Sequence, residues 1–185
     1  MSILDIRVLG DPILREETKP VDAITEELRT LARDMFETMH VAKGIGLAAP
    51  QVGRSERMAV VEVDEHRLVI INPEIVAGEG KDKAEEGCLS IPDVYGDVER
   101  PAKVRVRATD LDGKTFEVEA EGLLGRCLQH EIDHLHGKLF IDYLSVLKRR
   151  SALGKWGKEK DKYPGFIRKL EVDPARAHEH PDEEL

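Results

Sequence analysis

Nowhere in this 185-residue chain do about 18 apolar residues run together, so no membrane-spanning helix is expected. The start, Met1-Ser2-Ile3-Leu4-Asp5-Ile6-Arg7, lacks the basic opening and long apolar stretch of a secretory leader, which sets a cytoplasmic expectation. Basic residues are in deficit: 28 Lys and Arg face 37 Asp and Glu, a formal net charge of −9. Phosphate neutralisation needs a cationic surplus, so nucleic acid is excluded as a direct substrate. Cysteine is scarce too. Cys88 and Cys127 are the two present, and in a reducing compartment no disulfide is expected between them. There is no internal repeat and no low-complexity core. With 41% apolar residues, the length fits one domain with a sizeable core and room for an appendage.

Residues 25–43 read as a helix. Thr25 can cap it, Glu26 and Glu27 complement the dipole, and Leu28, Leu31, Ala32, Met35, Phe36 and Met39 form one apolar stripe that Gly44 ends. Met58 to Val63 and Leu68 to Ile71 are short, β-branched-rich runs of strand type. Lys103 to Ala108 and Thr115 to Ala120 alternate with period two on either side of an Asp112-Gly113 turn, which predicts a hairpin. A buried helix follows from about Leu123 to His136, with Gly137 as its cap. Strands followed by a buried helix, without a βαβ rhythm, predict an α+β domain. Antiparallel sheets would surround the central helix, with an N-terminal helix before it.

Past Ser151 the character changes. Residues 148–162 carry seven basic residues against Glu159 and Asp161, and Gly154 and Gly157 each weaken a helix there by about 1 kcal/mol. Residues 177–185 are polar and read as disordered, their His178 and His180 solvated. The expected organisation is a main domain over 1–150 and a basic, then polar, partly disordered extension over 151–185.

The chemistry concentrates in His130-Glu131-Ile132-Asp133-His134. Histidines four apart on a helix are about 40° apart around the axis and roughly 6 Å along it, so both imidazoles can reach one metal ion. Glu131 points about 100° further round, where a carboxylate can take a proton from an activated water. A catalytic site of this type needs three protein ligands and one open position. Metzincin proteases supply a third His downstream, but that position here is Phe140. Cys127 shares the helix face, yet it lies about 10 Å along the axis from His134, too far for one ion to bridge easily. Cys88, in Glu86-Gly87-Cys88-Leu89-Ser90, could complete a Cys-His-His set from a separate loop or strand end. Its other reading is a buried free thiol.

Gly44-Ile45-Gly46-Leu47-Ala48-Ala49-Pro50-Gln51 superficially matches a dinucleotide fingerprint. A helix rather than a strand precedes it, and Pro50 disfavours helical geometry at Ala49. What survives is a backbone loop approached closely by a ligand, with Gln51 offering an amide donor.

These three motifs, in this order, resemble those of bacterial peptide deformylase. The resemblance extends from Asp11-Pro12-Ile13-Leu14-Arg15 and Pro20-Val21 through Phe140-Ile141-Asp142-Tyr143-Leu144, roughly residues 1–150. It implies Cys88, His130 and His134 as metal ligands and Glu131 as general acid/base. It further implies an oxyanion hole from Gln51 and the Leu89 backbone N–H, with Gly46 in the same site. The implied activity is that of a formyl-methionyl peptide amidohydrolase. Formyl would leave the N-terminal Met of nascent chains as formate. The implied cofactor is one divalent ion, Fe2+ by family habit, with Zn2+, Ni2+ or Co2+ suiting the same donors. Arg100 would pair with Glu86 to hold the cysteine loop. The basic C-terminal segment resembles the ribosome-docking extension of some members.

Overall fold

The structure, a computed structural model, describes residues 2–172. Its helices are α1 (Glu26–Val41), α2 (Gly122–Leu135) and α3 (Val146–Glu159). The strands are β1 (Ile6–Arg7), β2 (Gly46–Ala48), β3 (Met58–Val63), β4 (His66–Glu79), β5 (Asp82–Cys88), β6 (Ile91–Arg100), β7 (Lys103–Thr109), β8 (Thr115–Glu121) and β9 (Ile167–Arg168). They form a five-stranded sheet in the order β2-β3-β4-β7-β8, a β5-β6 hairpin and a β1-β9 pair, all antiparallel. The α+β expectation is borne out.

β3 explains the layering. Its Met58 and Val60 join the apolar cluster of α1, with Leu31, Met35 and Met39. Its Ala59, Val61 and Val63 face the other way and join the cluster of α2, with Leu124, Leu128, Ile132 and Leu135. Alternate side chains of a strand point to opposite faces, so a strand apolar at every position but Glu62 is one covered on both. One helix therefore packs on each face of the sheet. The far side of α2 meets the β5-β6 hairpin through polar links, described below.

Helix α1 starts as the sequence predicts, with Thr25 Oγ1 accepting from the Leu28 N–H at 3.2 Å. At its end the left-handed residue is Lys43 (φ 60), and the Gly44 N–H closes onto the Met39 carbonyl at 2.9 Å. Helix α2 ends at Gly137 (φ 70), where a Cβ would come within 2.6 Å of the Arg15 carbonyl oxygen. Only glycine fits that contact and that φ.

Three local expectations need correction. β4 is far longer than Leu68–Ile71, because bulges at Ile71/Glu74 and Ile75/Ala77 let it bend past Asn72 and Pro73 and continue pairing with β7. Residues 44–53 are not wholly loop: β2 pairs with β3, and a 3-10 turn, Ala49–Val52, follows. The basic segment does form a helix. α3 runs through Gly154 and Gly157 because burial of Ala152 and Trp156 against the core outweighs the cost of the two glycines, which both face open space. The division at residue 150 thus falls inside α3, and residues 177–185 lie outside those described. Among the described residues, no helix is long and apolar enough to cross a membrane.

Candidate metal centre and active site

The helical spacing delivers what it predicts. His130 and His134 present their Nε2 atoms 3.2 Å apart. Cys88, the last residue of β5, brings its Sγ to 3.3 Å from His134 Nε2, and the three donor atoms all lie within 4.8 Å of one another. Donors sharing one ion at about 2.0–2.3 Å sit about 3.3–3.7 Å apart at tetrahedral angles, so this donor set fits a small divalent cation. Cys127 is not in the cluster. It is buried with its thiol 3.6 Å from the Ile45 carbonyl, and burial together with Glu131 pushes that thiol well up.

Glu86 orients the centre. Its Oε1 lies 2.9 Å from His130 Nδ1, so an Nδ1–H donating to the carboxylate leaves Nε2 as the free lone pair. Arg100 forks onto the same carboxylate at 2.6 and 2.8 Å, the pairing expected from sequence. Burial pushes the Glu86 carboxyl up, but Arg100 and His130 outweigh it and hold the group down at about 2. His134 is driven well below the usual imidazole range, first by burial and then by neighbouring cationic charge, so it stands neutral with a lone pair to give.

Sequence reasoning missed the rest of this network. Arg126 reaches Glu86 Oε2 at 2.7 Å, the Val98 carbonyl at 2.9 Å and Asp82 Oδ2 at 3.0 Å, tying α2 to both strands of the hairpin. Asp133 accepts from Arg100 at 2.9 Å and from the Tyr143 hydroxyl at 2.8 Å. One signal was available for Arg126: it stands at i−4 to His130 on a helix face that is otherwise apolar or ligand-bearing.

Glu131 is buried beside the donors, and its Oε2 has no hydrogen-bond partner among the described residues. Burial pushes this carboxyl up to about 7, despite the opposing pull of His130. A buried, unpartnered carboxylate of that basicity is suited to exchanging a proton with a bound molecule. Gly46 makes room for it, since a Cβ there would meet Glu131 Oε1 at 2.5 Å.

Gln51 is held in one orientation. Its Oε1 accepts from the Ala48 N–H at 2.9 Å, so its Nε2 faces Ser90 Oγ (3.0 Å) and Cys88 Sγ (3.6 Å). Leu89 follows Cys88 in the turn between β5 and β6, with its side chain against Gly44. A cleft of about 520 Å³ opens onto these groups, walled in part by Ile45, Gly87, Tyr95 and Leu123.

Residues 3–150 match the family model described as polypeptide deformylase. The peptide deformylase of Alkalilimnicola ehrlichii is 55% identical over 154 residues, which cover 81% of this chain and 86% of the relative. That of Mesorhizobium japonicum is 54% identical over 174 residues, 90% of this chain and 99% of the relative. Among solved structures, a peptide deformylase from Legionella pneumophila superposes with a TM-score of 0.84 at 51% identity, covering 87% of this chain and 97% of its own. One from Synechococcus elongatus, in complex with actinonin, gives 0.80 at 46% identity, covering 83% and 88%.

Proposed function

This chain belongs to the polypeptide deformylase family, and from that premise we propose that it hydrolyses the formyl group from the N-terminal Met of newly synthesised polypeptides in the cytoplasm. The observation that carries the reading is the convergence of Cys88 Sγ, His130 Nε2 and His134 Nε2 beside the unpartnered Glu131 carboxylate. Cys88, His130 and His134 are the proposed ligands of one divalent ion, Fe2+ on the family resemblance, with Zn2+, Ni2+ or Co2+ compatible with one thiolate and two imidazoles. When bound, such an ion supplies Lewis acidity, acidifying a water and polarising a carbonyl.

The chain's own groups account for the remaining steps. Glu131 accepts a proton as water adds to the formyl carbon. The Gln51 Nε2–H and the Leu89 N–H donate to the oxygen on which charge develops. Glu131 then returns the proton to the departing nitrogen as the C–N bond breaks, giving formate and a free α-amine. Gly46 lets the substrate carbonyl and Glu131 approach without a side chain between them. The basic face of α3 is a candidate contact with the ribosome, which would place the enzyme near its substrate.

The test is anaerobic purification with metal analysis, then formate release from a formyl-Met peptide. Stoichiometric metal and release of formate support the reading. Cleavage of an internal peptide bond instead, or no reaction with metal present, would reject it.

A further inference from the structure

Residues 160–168 lie beyond residues 3–150 that the family model matches, yet Tyr163 and Arg168 line the same cleft as Cys88, His130 and Glu131. The chain reaches the cleft because it is anchored to its own beginning. β9 pairs with β1 at Ile6↔Arg168 and Arg7↔Ile167, and the Val8 N–H donates to the Phe166 carbonyl at 3.0 Å. The Phe166 ring lies against Gly10, where a Cβ would come within 2.2 Å of it. Upstream, the buried Trp156 donates from Nε1 to the Leu9 carbonyl at 3.2 Å and stacks on Tyr163, ring centroids 5.9 Å apart.

Two donors, one in β9 and one just past β1, grip the turn that follows Cys88. Arg168 Nη1 donates to the Leu89 carbonyl at 3.0 Å, and the Leu9 N–H donates to the Ser90 carbonyl at 2.9 Å. We infer that Arg168 is a positioning residue of the active site, fixing the Leu89 carbonyl and with it the aim of the Leu89 N–H. This rests on the oxyanion role proposed above for that N–H.

The Cys88–Leu89 peptide is bounded upstream by the pairing of Cys88 with Ile91. Downstream, the nearest hydrogen bond to the backbone is that of Arg168 to the next carbonyl, while the Leu89 side chain rests against Gly44. Without it, the first backbone hydrogen bond falls one peptide later, at the Ser90 carbonyl, and rotation about the Leu89 backbone can swing the preceding N–H. A charged donor holds a carbonyl more firmly than a neutral one, which suits a turn with no regular ladder of its own. Oxyanion donors work by being preorganised, so a small loss of aim is read in turnover rather than in substrate binding. The C-terminal extension is on this account part of the active site.

The experiment uses the full-length, metal-loaded protein, Arg168→Ala and Arg168→Lys. Arg168→Ala should lower kcat about 10–100-fold on a formyl-Met peptide and leave KM within about threefold, with metal content and thermal midpoint unchanged. Arg168→Lys should recover about tenfold of that loss, since an ammonium can still donate to the carbonyl. Amide exchange at Leu89 and Ser90 should rise about fivefold in Arg168→Ala. Wild-type kcat and KM in Arg168→Ala would overturn the inference. A parallel fall of kcat, metal content and midpoint in both variants would also overturn it, by assigning Arg168 to the fold. If the wild-type protein itself releases no formate, the functional reading fails separately. The exchange measurement then still decides whether Arg168 holds the turn.

Discussion

His130 Nδ1 sits 2.9 Å from Glu86 Oε1, joining the middle of α2 to the end of β5 across 44 residues of sequence. The contact sets the tautomer of His130 and so decides which ring nitrogen faces Cys88 and His134. Glu86 can hold that role because Arg100 and Arg126 share its charge from the other side. Replacing Glu86 with Gln should weaken metal affinity about 10–100-fold, as loss of a ligand's carboxylate partner typically does. It should also destabilise the fold by about 3 kcal/mol, because two buried guanidinium groups lose the carboxylate they share and keep only Asp133 and Asp82. Metal titration and denaturant unfolding measure the two effects. A variant with unchanged metal affinity would remove Glu86 from the support of the centre.

The two cysteines should separate cleanly. Cys88→Ala is expected to strip the metal, whereas Cys127→Ser should retain it, because Cys127 Sγ stands outside the donor cluster against the Ile45 carbonyl. Metal analysis of both purified proteins decides this. The reverse pattern would refute the ligand assignment.

Glu131→Ala should keep its metal and lose about 10²–10⁴-fold in kcat, the usual contribution of a general base. Gln51→Ala should lose on the order of 10²–10³-fold through the oxyanion donor proposed for it. Steady-state kinetics on metal-quantified protein tests both. A near-normal rate in either variant takes that residue out of the mechanism.

Acid sensitivity should trace in part to Asp142. Burial pushes its carboxyl up, but Arg15, at 2.7 and 3.0 Å, and the Leu139 N–H, at 3.0 Å, hold it below its ordinary 3.8. A depressed carboxyl stabilises the fold above its unfolded pKa and loses that contribution as pH falls through the folded one. The stability gap between wild type and Asp142→Asn should therefore be full at neutral pH and shrink below about 3.8. Its size is about 1 kcal/mol or less, because the pair is partly exposed. A gap independent of pH in denaturant titrations would contradict this.

An iron-loaded enzyme should lose activity in air, because a thiolate-held ferrous ion open to solvent invites oxidation of iron and sulfur. A nickel-loaded form should persist, and zinc should bind yet turn over more slowly. Acetyl-Met peptides should react poorly, formyl being the least hindered acyl group. Zinc enzyme prepared in air proving the most active form would reject iron as the working metal.

The sequence by itself determined what acts within one element. The three-to-four-residue rhythm of α1, the two-residue alternation of β7 and β8, the Thr25 cap and the shared face of His130 and His134 depend on bond geometry over a few residues. That is why they could be read directly. Which of two thiols meets the imidazoles depended on where β5 ends relative to α2, and spacing could argue against Cys127 without bringing Cys88 in. The strand at Gly46–Ala48 exists because β3 is there to pair with it. The helix through Gly154 and Gly157 exists because Trp156 has a core to enter. Arg126 on Glu86 and Arg168 on Leu89 join residues 40 and 79 apart in sequence. Such contacts are fixed by sheet register and packing of the whole domain, which no local pattern encodes.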